Sequence, residues 1–116
     1  MGIEALYAIE FTADRKQWQG GGVFVLDTGR VFGGDSSLAY VGEFQLKDSS
    51  MVATVDVIRH NNTLPSIFGT KEAKFTVELQ GTVSKPAFAS IDFTGRRTDM
   101  PQITMYARAK RIAELP

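Results

Sequence analysis

The chain has 116 residues, no cysteine and one histidine, and its 13 basic side chains balance 13 acidic ones. That length suits one domain, residues 1–116, with a core of its own, while the charge balance provides no field for holding nucleic acid or an anionic membrane. Without cysteine, disulfides, thiolate nucleophiles and Cys-ligated zinc are excluded together, and no cofactor is expected.

The opening "MGIEALYAIEF" lacks the basic-then-apolar order of a secretion leader, and Leu6 stands where an acylation signal wants Ser or Thr. No segment approaches the ~18 apolar residues of a membrane helix. A cytoplasmic protein is therefore expected. From the first element onward the apolar period is two. In "ALYAIEFTAD" Tyr7, Ile9 and Phe11 share one face and Ala8, Glu10 and Thr12 the other, as in a half-buried strand.

"GGGVFVLDTGRVFGG" contains two apolar runs split by Asp27-Thr28-Gly29, a short hairpin turn in which glycine takes positive φ. "LAYVGEFQLKDSSMVATVDVIRH" repeats the arrangement around Lys47-Asp48-Ser49-Ser50. Next comes "NNTLPSIFGTKEA", where Pro65 and Gly69 interrupt any ladder while Leu64, Ile67 and Phe68 want burial; the segment reads as a long connection with one helical turn plugging an end of the sheet. "AKFTVELQGTVSKPAFASIDFTG" gives a third hairpin around Ser84-Lys85-Pro86. The last piece, "ITMYARAKRIA", alternates apolar with polar residues and reads as strand, although Ala107 to Leu115 contains good helix formers.

Eight strands joined mostly by short turns predict an all-β, antiparallel up-and-down barrel with one long connection between strands 5 and 6. Closure removes the exposed edges of such a sheet. With Tyr7, Ile9, Phe11, Phe75, Val77, Leu79, Ile91 and Phe93 inside, the interior should be mostly packed, and Ala89, Ala107 and Ala109 leave room for a modest cavity at most. A small apolar ligand is thus an alternative occupant.

No chemistry-bearing motif stands out. Gly20 to Gly22 and Gly33-Gly34-Asp35 lack the spacing and the following helix of a phosphate loop, so Gly20 to Gly22 read as a close strand approach and Gly33-Gly34 as a bend or a bulge, with Asp35 capping the turn that follows. His60 has no second His or Cys near it, and Glu10, Glu43, Asp56, Glu78 and Asp92 fall on the outward phase. No G-x-S-x-G nucleophile elbow occurs. Arg96, Arg97, Arg108, Lys110 and Arg111 read as a basic surface near the C-terminus, and Trp18 as either a contact anchor or a barrel plug. Exposed aromatics among Phe24, Phe32 and Phe44 would suit self-association.

The order of these motifs carries a resemblance. "GRVFGGDSSLAYVGEF", with Gly33, Gly34, Asp35, Tyr40 and Gly42, then Arg59-His60-Asn61, Leu64-Pro65-Ser66 and Met100-Pro101-Gln102, resembles the GrlR family of small bacterial regulators. The resemblance implies a lipocalin-like barrel, a homodimer and a non-catalytic role, in which the best-known relative represses type III secretion genes by sequestering a transcriptional activator. In that relative an acidic loop between the fourth and fifth strands is associated with activator binding; here the matching "QLKDSSM" carries Lys47 and Asp48. The expected function is accordingly a regulatory protein-binding module, with Gly33, Gly34, Asp35, Tyr40 and Gly42 as architecture and Lys47, Asp48 and Trp18 as candidate partner contacts.

Overall fold

In the computed structural model, which describes residues 2–13, 19–62, 64–84 and 87–116, eight strands close into one barrel. They are β1 (Ala5–Thr12), β2 (Gly20–Asp27), β3 (Arg30–Gly34), β4 (Leu38–Lys47), β5 (Ser50–Arg59), β6 (Lys74–Val83), β7 (Ser90–Arg97) and β8 (Met100–Ala113). Each strand pairs antiparallel with its neighbours in sequence, and β1 closes the cylinder on β8. The up-and-down barrel expected from the alternation is the one observed. β8 runs as strand for 14 residues, so the alternation there overrides the helix propensity of its alanines.

The turns follow from local backbone preferences. Between β2 and β3 both Thr28 and Gly29 have positive φ, 55° and 74°, the pattern that matches the right-handed twist of a two-residue hairpin. Glu4 supports that turn by accepting a 2.7 Å bond from the Thr28 amide. Asp48 takes the same conformation, φ 56°, in the β4–β5 turn. Lys85 and Pro86 of the expected third turn lie outside the described residues.

Inside, Tyr7, Leu26 and Ile91 are fully buried, and Phe24, Val55, Phe75, Val77 and Phe93 surround them. Tyr7 stacks on Phe24 at 5.2 Å between ring centroids, and its hydroxyl is satisfied by the Ile3 carbonyl. Ile9, Phe11 and Leu79 are only partly buried but pack against this core. Ala107 and Ala109 point inward as expected, whereas Ala89 is exposed just before β7. Phe24 is buried and Phe44 is half-buried against the core, which leaves Phe32 as the outward aromatic of the three.

The long connection, residues 60–73, plugs one end of the cylinder, but with turns instead of a helical turn. Ser66 donates its amide to the Thr70 carbonyl at 2.9 Å, the Gly69 amide returns to Ser66 at 2.9 Å, and Gly69 has φ 78°. Pro65 cannot donate a backbone bond and Gly69 supplies the left-handed residue, so this sequence closes on itself as a loop.

Candidate functional site

Three features of the barrel could serve a function: a glycine-rich corner, a plugged interior and an apolar outer wall.

At the corner, β3 and β4 approach their neighbours too closely for side chains. A Cβ on Gly33 would stand 2.1 Å from the Val23 carbonyl oxygen, and one on Gly42 2.1 Å from that of Thr54. Pairing through Gly33 and Gly34 is unbroken on both sides, so of the bend and the bulge that the sequence allows the bulge is absent, and the glycines permit a close approach of backbones. Asp35 then caps the β3–β4 turn as anticipated. Its Oδ1 accepts the amides of Ser37 at 2.9 Å and Leu38 at 2.8 Å, while Oδ2 accepts the Tyr40 hydroxyl. Burial, followed by the Asp35 carboxylate, pushes the Tyr40 phenol far above the ordinary tyrosine range. The Tyr40 hydroxyl stands beside Gly22, where a Cβ would lie 2.8 Å from it. His60, exposed at the end of β5, meets the Asp35 carbonyl through Nε2 at 3.0 Å.

The plug is fastened mainly by two arginines. Arg59 reaches the carbonyls of Leu64 at 2.7 Å and Thr70 at 3.2 Å. Arg97, placed on the basic surface by sequence, is instead 1% exposed at the end of β7. Alternation explains the difference, since Arg97 shares the inward phase of Ile91 and Phe93. Its guanidinium grips Asp99 with two bonds of 2.8 and 2.6 Å, donates to Thr70 at 3.0 Å and to Glu72, and lies 4.3 Å from the Phe75 ring centroid. Arg97 is the buried member, while Glu72 is half-buried and Asp99 exposed, and pairing its charge with both carboxylates is what allows an arginine there. Hydrogen bonding from Arg97 holds the Asp99 carboxyl below the usual range. Burial raises that of Glu72, but Thr70, the Glu72 backbone and Arg97 outweigh it and the net direction is down.

Behind the plug lies a cavity of about 90 Å³. Strand side chains such as Phe24, Met51, Val55 and Met105 form its walls, and Ile67 and Phe68 of the plug form its cover. A second, polar groove of about 380 Å³ runs along the outside of β5 to β8 past Thr54, Glu78, Gln80, Thr94 and Arg96. Glu10, Glu43, Glu78 and Asp92 are exposed and Asp56 is half-buried, and among the described residues no three His, Cys, Asp or Glu side chains converge.

The outer wall of β1 to β5 departs furthest from a solvated surface. Register places Leu6, Val25, Phe32 and Val41 side by side on four strands, and Ala8, Val23, Gly34, Ala39 and Ile58 in the adjacent row across five. Cross-strand partners on one face stand ~5 Å apart, so these residues form one surface. Phe32 is 43% exposed, Val23 44% and Val41 51%. A row of both charge signs borders it at one end, where Asp27 pairs with Arg30 and Arg30 with Glu43. The sequence did hold a signal for this wall: "VFVL" and "LAYV" are apolar on both phases, which marks strands covered on both faces.

Of the candidate partner contacts, Lys47 and Asp48 sit in an exposed turn at the end of β4 remote from the corner. Trp18 lies outside the described residues.

Fold and surfaces together define a closed, eight-stranded antiparallel up-and-down β-barrel with a plugged end. No family model matches the chain, and no curated protein matches it.

Proposed function

We propose that the protein is a non-catalytic, regulatory protein-binding barrel that works as a homodimer through the outer wall of β1 to β5. The observation that carries this reading is the two-row apolar surface from Leu6 to Val41 and from Ala8 to Ile58. A contiguous apolar wall of this kind marks an interaction site on a soluble domain.

A second copy is the occupant that fits. The wall spans five strands, about 20 Å at the ~4.8 Å spacing of a sheet, and two such faces pack ~10 Å apart with side chains interdigitating. A two-fold axis sets the same patch against itself. The bordering Asp27, Arg30 and Glu43 carry both signs, so self-pairing sets opposite charges within reach of each other at the rim. An acidic or basic partner would find little on the wall itself to recognise.

The motif resemblance to GrlR extends the proposal to the regulated process: a transcriptional activator of type III secretion genes as the second partner, held away from its promoter. Lys47 and Asp48 are the candidate contacts for it, together with Trp18. Sedimentation at micromolar concentration tests the dimer, with a species of twice 12.7 kDa expected and a 12.7 kDa species alone removing the proposal.

A further inference from the structure

We infer that the barrel interior is a binding site for a small, uncharged, apolar molecule, one aromatic ring or a short branched chain in size, and that residues 64–73 of the long connection are its displaceable lid. This goes beyond the dimer and does not depend on it.

The chemistry of the lining selects the ligand. Ser66 and Tyr40 are the polar residues among those that face the cavity, and both are committed elsewhere: the Tyr40 hydroxyl to Asp35, the Ser66 hydroxyl to Thr70 and the Phe68 amide. An entering molecule meets the apolar side chains of Met51, Val55, Val77, Phe93 and Met105. A donor or acceptor on the ligand would go unsatisfied there, at a cost of ~1–3 kcal/mol, and such a cavity holds no ordered water for it to displace.

Size then requires movement. The cavity of about 90 Å³ is smaller than the ~150 Å³ apolar cavity that admits benzene. A ring enters only where a lining side chain yields. Most of the lining belongs to strands locked into the ladder, whereas Ile67 and Phe68 belong to the plug, which is held largely by side chains. Phe68 meets Phe75 edge-on at 5.8 Å and is half-buried, so turning it outward opens the cavity without breaking a strand. Arg97 is the latch, because its guanidinium binds Thr70 and Glu72 of the plug and lies 5.4 Å from the Phe68 ring centroid. Apparent affinity scales with the fraction of molecules whose lid is open.

Glu72 fastens the lid but does not line the cavity, which separates opening from cavity size. The test is a toluene titration followed by NMR of the Met51 and Met105 methyl groups. Saturable shifts are expected in the native protein, with affinity several-fold tighter in Glu72→Gln and at least tenfold tighter in Phe68→Ala; Ala53→Phe, which fills the cavity from β5, should abolish them. No saturable shift in the native protein up to the solubility limit would overturn the site. Binding confined to Phe68→Ala would also overturn it, as a hole made by the substitution. Equal affinities in the native protein and Glu72→Gln would overturn the lid.

Discussion

Tyr40 donates a 2.5 Å hydrogen bond to the Asp35 carboxylate across the place where Gly22 has no side chain; a Cβ on Gly22 would stand 2.8 Å from that hydroxyl and 3.1 Å from Asp35 Cβ. β2, the β3–β4 turn and β4 are thereby tied at one corner by a missing side chain and one half-buried bond. Asp35→Ala removes the acceptor of two amides and of a half-buried phenol, so a loss of about 2–3 kcal/mol is expected, in the range for breaking a satisfied buried network. Tyr40→Phe should lose about 1 kcal/mol, since it deletes one bond and leaves both amides capped. Urea denaturation of the two variants checks the ranking, and equal losses would contradict it.

The same pair fixes the alkaline behaviour. The folded Tyr40 pKa lies above its unfolded value, so the contribution is fully present below the ordinary tyrosine range and declines as pH rises through and beyond it. In an absorbance titration of the native protein Tyr40 and the fully buried Tyr7, whose phenol burial also pushes up, should ionise only together with unfolding, and Tyr40→Phe should remove one of those two tyrosines from that component. A Tyr40 that ionises at ordinary pH in the folded state would refute the buried bond.

Gly33 and Gly42 are the tightest positions, where a Cβ would stand 2.1 Å from a carbonyl oxygen in each case, against 2.4 Å at Gly95. At Gly34 the nearest backbone atom, the Leu38 oxygen, would be 2.7 Å away. Gly33→Ala and Gly42→Ala should therefore destabilise more than Gly34→Ala, by roughly 3 kcal/mol or more, at the upper end for overpacking. Thermal unfolding would show the order, and a Gly33→Ala protein melting with the parent would contradict it.

At the plug, Glu72 and Asp99 have folded pKa values below their unfolded ones, so their contribution is present above the unfolded carboxylate range and is lost as pH falls through the folded values. Amide exchange in residues 64–72 should rise on acidification before exchange in β1 to β8 does. Arg97→Lys should retain the charge but lose the two-bond grip on Asp99 and the stacking over Phe75, and should raise exchange in the plug already at neutral pH. Unchanged protection in that variant would show that the latch lies elsewhere.

Strand number, order and closure were legible because period-two alternation, Asp27-Thr28-Gly29 and Lys47-Asp48-Ser49 are local signals for strands and turns. Asp35 as a turn cap was legible for the same reason. Arg97 was not: its charge suggests surface, and only the partnership with Glu72 and Asp99, 25 and 2 residues away, makes burial tolerable. The Tyr40–Gly22 contact and the outer wall needed register, since Phe32 becomes part of a surface only when Val25 and Val41 are known to flank it. Alternation tells inside from outside along a strand, but not which outward residues become neighbours.

Sedimentation velocity of Phe32→Asp beside Val52→Asp tests the central claim most directly. Val52 is 49% exposed, comparable to Phe32, but it pairs with Gln45 and Gln80 on the polar side of the barrel. A dimer for the native protein and for Val52→Asp, with a folded 12.7 kDa monomer for Phe32→Asp, is the expected result. A Phe32→Asp protein that sediments as a dimer would contradict the assignment of the outer wall.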